Sequence, residues 1–154
     1  MKVHSYGILL FRRNAGHWQV LLVHPGGPFW AGKEAGAWSI PKGLPEGDEP
    51  ELETARREFR EETGFEVDGE FLELGSLPQP SGKTIHAWGL EGDLDASRIR
   101  SNTFTLEWPR HSGTYMEYPE IDAGDWFSLA VAREKIHRGQ AEFLDRLLER
   151  LEGA

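Results

Sequence analysis

Between Pro50 and Thr63 the chain reads PELETARREFREET, and a helix is the element that reconciles its two patterns. Leu52 and Phe59, seven residues apart, share one face and are set to bury against a sheet. Glu58, Glu61 and Glu62 fall on another face, within roughly 100° of arc at about 100° per residue. Asp48 is placed to cap this helix, Pro50 suits its first turn and Gly64 suits its stop. A helix with one apolar stripe needs a layer to lie on, and the rest of the chain offers strands.

Val3 to Phe11 is apolar and β-prone, Trp18 to Pro25 is a second strand, and the Asn-Ala-Gly between them reads as a turn. Glycine and proline thicken from Pro25 to Pro45, which predicts a loop with a short extended piece at Trp38 to Ile40. FEVDGEFLELGSL and KTIHAWGLEGDL read as further strands, and SNTFTLEWP as another before a loop at Pro109 to Gly113. A last helix fits Leu129 to Leu151, broken near Gly139, with Phe143, Leu144, Leu147, Leu148 and Leu151 at core spacing. The order of elements predicts a mixed sheet with helices packed on it, as one domain across residues 1–154.

Hydrophobic residues make up 38% and aromatics 11%, enough for a core. The net charge of −9 argues against nucleic-acid binding through a broad basic face, but not against a small phosphate ligand held with a cation. With no cysteine, disulfides, thiolate metal sites and cysteine nucleophiles are excluded. The opening MKVHSYGILLFRR has too short an apolar run for a signal peptide or a membrane span, so a cytoplasmic protein is expected. The six histidines show no zinc-ligand spacing. GPFWAGKE nearly matches a phosphate-binding loop, but Glu34 stands where a magnesium-holding hydroxyl is required, so it reads as an ordinary loop.

The carboxylate stripe is the anomaly. Glu58 and Glu62 repel at i,i+4, and all three lie at the helix C-terminal end, where the dipole disfavours negative charge. A solvated acidic face is the bland explanation. A hard divalent cation is the better one: magnesium takes oxygen ligands and keeps waters, which leaves room for substrate phosphates.

These residues resemble the signature of the Nudix hydrolases, G-x5-E-x7-R-E-U-x-E-E-x-G-U, with U a bulky apolar residue. Gly43, Glu49, Arg57, Glu58, Phe59, Glu61, Glu62, Gly64 and Phe65 fill every fixed place, with phenylalanine at both U positions. The resemblance implies a Nudix-type α/β/α sandwich, a mixed β-sheet with the box helix and a C-terminal helix packed on it. It implies hydrolysis of a nucleoside diphosphate linked to another group X, with magnesium, or manganese as substitute. Carried onto this chain, Glu58 and Glu62 become metal ligands, with Glu61 a further ligand or the base. A backbone carbonyl near Lys42 and Gly43 adds an oxygen, Arg57 orients the carboxylates, and Glu49 braces the loop against the helix. An acidic residue outside the box is expected as base or ligand; Glu107, Glu117 and Glu120 are the candidates. Glu120 is preferred, because PEIDAGDWF resembles a diadenosine-polyphosphate hydrolase segment in which glutamate precedes tryptophan by six residues, here Glu120 and Trp126.

WSIPKG, Trp38 to Gly43, resembles the run that opens the box in asymmetric diadenosine tetraphosphate hydrolases. Lys42 would meet a substrate phosphate, with Lys83 and Arg110 as further phosphate contacts. Trp38 and Tyr115, beside Trp30 and Trp108, are candidates for stacking on a base. The expected substrate is a dinucleoside polyphosphate. The alternatives are a nucleoside triphosphate, a nucleotide sugar, an RNA 5′ end, or a non-catalytic nucleotide-sensing role. The oligomeric state is left open.

Overall fold

The computed structural model describes residues 3–153. The first two strands are β1 (Val3–Asn14) and β2 (His17–Pro25). They form a tight hairpin in which Asn14 faces His17, and Ala15 and Gly16 both take positive φ (52° and 81°). That turn matches the twist of the strands it joins. β1 is buried from Ser5 to Phe11, so its apolar run does not alternate: both faces of the strand are covered.

The sheet runs β4 (Leu72–Pro78), β5 (Lys83–Glu91), β1, β2, β8 (Ile121–Ser128), with the two-residue β3 (Lys42–Gly43) paired to β1. β1 and β5 are parallel; the other pairs are antiparallel. A separate hairpin joins β6 (Thr103–Glu107) and β7 (Tyr115–Pro119). One face of the sheet carries α1 (Glu51–Thr63), where Ala55 and Phe59 meet Tyr6, Ile8, Leu10 and Leu21. The other carries α2 (Leu129–Lys135) and α3 (Glu142–Glu152), where Ala132, Phe143, Leu144 and Leu147 meet Leu9, Phe11, Val20 and Leu22. Each large apolar side chain so buried contributes about 1.5–3 kcal/mol. This is the expected α/β/α sandwich with a mixed sheet.

Three local expectations change. Asp48 does not cap α1: the cap position is Pro50, with no side-chain bond, and Glu49 instead accepts from the Thr54 hydroxyl at 2.8 Å. Leu52 is only half-buried; the face turned to the sheet is Ala55 and Phe59, with Thr54 and Thr63. β7 and β8 are strands where no strand is expected: β7 forms by pairing with β6, and pairing with β2 outweighs the aspartates and glycine of β8. The stop at Gly64 holds: it takes φ 82°, and its N–H returns to the Arg60 carbonyl at 2.7 Å. The last helix is broken as expected, by a 3-10 turn at Arg138–Gln140. Among the described residues, no helix is long and apolar enough to cross a membrane.

Candidate active site

β3 fixes one side of the site. Tyr6 pairs with Gly43 and Gly7 with Lys42, which holds the loop before α1 flat against the sheet. The Lys42 N–H then donates to Glu62 Oε1 at 3.3 Å. Glu58 lies directly over Gly43: a Cβ built there would come within 1.9 Å of Glu58 Oε2. Glycine leaves the space in which Glu58 takes this position.

Arg57 holds the helix and loop together. Its Nε donates to Glu49 Oε2 at 2.9 Å and its Nη2 to Glu49 Oε1 at 3.0 Å and the Leu44 carbonyl at 2.8 Å. Its Nη1 donates to Glu58 Oε1 at 2.8 Å and also to Glu61 Oε2. Glu49 in turn accepts from Thr54 and from the Glu46 N–H. The Arg57 guanidinium, with Thr54 and the Glu46 N–H, draws the Glu49 carboxyl down to about 2. Arg57 itself is held above its ordinary value, first by Glu49 and then by Glu58 and Glu61. Arg57 thus donates to Glu49 on the loop and to Glu58 and Glu61 on the helix at the same time.

Three carboxyls, Glu62, Glu58 and Glu120, are shifted upward. Burial pushes Glu62 up to about 8, with Glu58 and Glu120 adding to the rise and Lys42 opposing it. Burial also raises Glu58, helped by Glu61 and Glu120 and opposed by Arg57, and it raises Glu120, helped by Glu61. Glu120, at the junction of β7 and β8, is strapped in place by its backbone. Its N–H donates to the Asn102 carbonyl at 2.8 Å and its carbonyl accepts from Gly26 at 2.8 Å, while the Asn102 N–H donates to the Glu61 carbonyl at 3.0 Å. Asn102 therefore links the end of the box helix to the outer carboxylate.

Glu62 and Glu120 line an open cavity of about 530 Å³ together with Lys42 and Lys83. Two carboxylates and two lysines thus face one space. Trp30, Ser39, Gln79, His137 and Gln140 form other parts of its wall. The donor set fits a magnesium or manganese ion: it is all oxygen, and Glu62 receives only the Lys42 N–H in return for its burial. Among the described residues no three such side chains already converge as a ligand set. Glu58 and Glu61 both pair with Arg57.

Two expected substrate contacts are corrected. Trp38 is 6% exposed and belongs to the core, packed edge-on against His24 and Phe127, with its Nε1 donating to Glu34 at 3.3 Å. Tyr115 is 66% exposed on the β6–β7 hairpin and does not line the cavity. Trp30 is the tryptophan that does. Of the outer carboxylates, Glu107 binds the N–H groups of His111 and Gly113 in its own hairpin turn, and Glu117 lies on β7 away from the cavity; Glu120 alone lines it. Arg110 is exposed in that same turn, outside the cavity. The Ser39–Gln140 part of the wall had no sequence signal, since its residues lie 101 apart.

Residues 1–147 match a family model described as the NUDIX domain. No curated protein matches the chain. Among solved structures, the chain is similar to an Ap4A hydrolase from C. elegans in a binary complex, with TM-score 0.69 and 20% identity over 97% of this chain and 99% of that one. It is similar to the NUDIX domain of Shewanella oneidensis NrtR complexed with ADP ribose, with TM-score 0.70 and 17% identity over 98% and 89%. It is also similar to NrtR complexed with a 27mer DNA, with TM-score 0.62 and 16% identity over 97% of this chain and 62% of that one. At these identities the likeness is one of fold.

Proposed function

We propose, from the premise that the chain belongs to the Nudix family, that it is a magnesium-dependent pyrophosphohydrolase acting on a nucleoside diphosphate linked to a further group X. The observation that carries this reading is the cavity into which Glu62, Glu120, Lys42 and Lys83 all face. A polyphosphate needs cationic partners, and lysines supply part of that charge. A bound divalent cation, with manganese as substitute, would supply the rest and activate a water for attack at phosphorus. Glu58, Glu62 and Glu120, with the Gly43 carbonyl, would hold the cation. Glu61 serves as a further ligand or as the base, and Arg57 keeps Glu58 and Glu61 in position.

A dinucleoside polyphosphate is the preferred substrate, on the WSIPKG run and the Glu120–Trp126 segment, with the Ap4A hydrolase fold as support. The ADP-ribose complex of the NrtR domain supports a nucleotide sugar as the second reading. The NrtR complex with DNA belongs to a longer chain, and the −9 charge here favours a small nucleotide over a nucleic acid.

The test is chromatography of the products formed from diadenosine and diguanosine tetraphosphate with magnesium. Nucleoside triphosphate plus monophosphate, strongly reduced in Glu61→Gln, supports asymmetric cleavage. No product from either overturns the dinucleoside assignment.

A further inference from the structure

The part of the cavity wall built by Ser39, His137 and Gln140 has a definite hydrogen-bonding sense. Gln140 is 2% exposed, yet it lines the cavity. The Ile40 N–H donates to Gln140 Oε1 at 3.0 Å, and only the oxygen of the amide can face that donor, so the amide orientation is fixed. The amide nitrogen donates one hydrogen to Ser39 Oγ at 3.0 Å. The Ser39 hydroxyl gives its own hydrogen to the Ile40 carbonyl at 2.7 Å, the shorter of its two acceptor contacts. Gln140 therefore has one polar hydrogen left, its second amide N–H, and Ser39 has none.

His137 completes the pattern. Its Nδ1 accepts from the Gly139 N–H at 3.2 Å, which puts the ring proton on Nε2. Gln79 is tied to the same turn, its amide nitrogen donating to the Gly139 carbonyl at 2.8 Å. What Gln140 and His137 have to offer a ligand is donors. Trp30 lines the same cavity and provides an aromatic surface for a flat ring.

Purines differ at the edge such a wall would meet. Guanine presents N7 and O6, both acceptors, whereas adenine presents N7 with an amino donor beside it. An adenine amino group set against these donors would leave a buried N–H unpaired, the more costly mismatch. We propose that Gln140 and His137 make the cavity selective for a 6-oxopurine nucleotide, guanine or hypoxanthine, over adenine. This rests on the nucleotide reading above and names the base that it takes.

Calorimetric titration of the protein in magnesium buffer with GDP, IDP and ADP tests it. IDP shares O6 and N7 with GDP but lacks the 2-amino group, so it isolates the 6-position. The expected result is that GDP and IDP both bind about tenfold or more tightly than ADP. Gln140→Met, which keeps the chain length without the amide, should bring the three within about threefold, mainly by weakening GDP and IDP. If that variant does not fold, the IDP-to-ADP ratio of the parent protein decides alone. ADP binding as tightly as GDP, or IDP following ADP, overturns the proposal. Cleavage of adenine and guanine substrates at equal efficiency removes base selectivity and leaves the hydrolase reading standing. Selective GDP and IDP binding without turnover of any nucleotide keeps the selectivity and removes the hydrolase. No binding of any of the three overturns the selectivity, and the hydrolase reading is then decided by turnover.

Discussion

Glu58 rests on Gly43 so closely that a Cβ at Gly43 would come within 1.9 Å of Glu58 Oε2. The obstacle would be the far end of a flexible side chain, so the fold can absorb it by turning Glu58 aside. Gly43→Ala is therefore expected to leave the melting temperature nearly unchanged while lowering turnover as Glu58→Gln does. Thermal melts and steady-state rates on the same preparation check this; near-native turnover would show that the Glu58 position is not needed.

The carboxylates themselves are expected to matter more to chemistry than to stability. Glu58→Gln or Glu62→Gln should reduce turnover by a factor on the order of 100 or more at saturating magnesium. Glu62→Gln also removes a charge that burial disfavours, so the metal-free variant should melt no lower than the parent at pH 8. Either variant retaining parental rates would mean that the ligand assignment is wrong.

Arg57 should affect both stability and activity. Its guanidinium reaches Glu49, Glu58, Glu61 and the Leu44 carbonyl at once. Arg57→Ala should cost about 1–3 kcal/mol in denaturant unfolding, because several partly buried carboxylates lose a charged hydrogen-bond partner, and should lower activity about 10–100-fold. Arg57→Lys should rescue little, since one ammonium cannot reproduce the fork. Substantial rescue by lysine would reduce the role to simple charge.

The pH dependence of stability has two arms. Glu49 titrates at about 2 in the fold against an ordinary 4.5, so its stabilisation is present above 4.5 and is lost as pH falls toward 2. Glu62 is the reverse: at about 8 against 4.5, the folded protein holds the proton more tightly, and metal-free stability falls as pH rises from 4.5 to 8. Divalent ions bind the deprotonated form, so magnesium should raise the melting temperature more at pH 8 than at pH 5.5. Melts with and without EDTA across that range check both arms. An equal magnesium effect at the two pH values would separate cation binding from Glu62.

The box helix was legible because its signals are local: periodicity placed Phe59 on the sheet, and Gly64 marked the stop. The first two strands and the break in the last helix were legible for the same reason. The misses are tertiary. β8 forms because Leu21 and Leu22 of β2 offer Trp126 and Asp125 a partner, which a sequence of aspartates and glycine does not announce. Trp38 lies beside a glycine-rich loop, yet bridges from Ser39 to Val23 and from Trp38 to Ile136 draw it into the core. Asp48 has the composition of a cap, but Pro50 takes the cap position. The Ser39–Gln140 pair depends on two chain segments meeting after folding, so no window of sequence contains it.

The most direct test of the account is a turnover panel of dinucleoside polyphosphates, nucleoside triphosphates and nucleotide sugars, run with magnesium, with EDTA, and with Glu62→Gln. Cleavage of a pyrophosphate bond in at least one class is expected, abolished by EDTA and reduced on the order of 100-fold in the variant. Folded protein that binds magnesium but cleaves none of them, or cleavage that persists in EDTA, would contradict it.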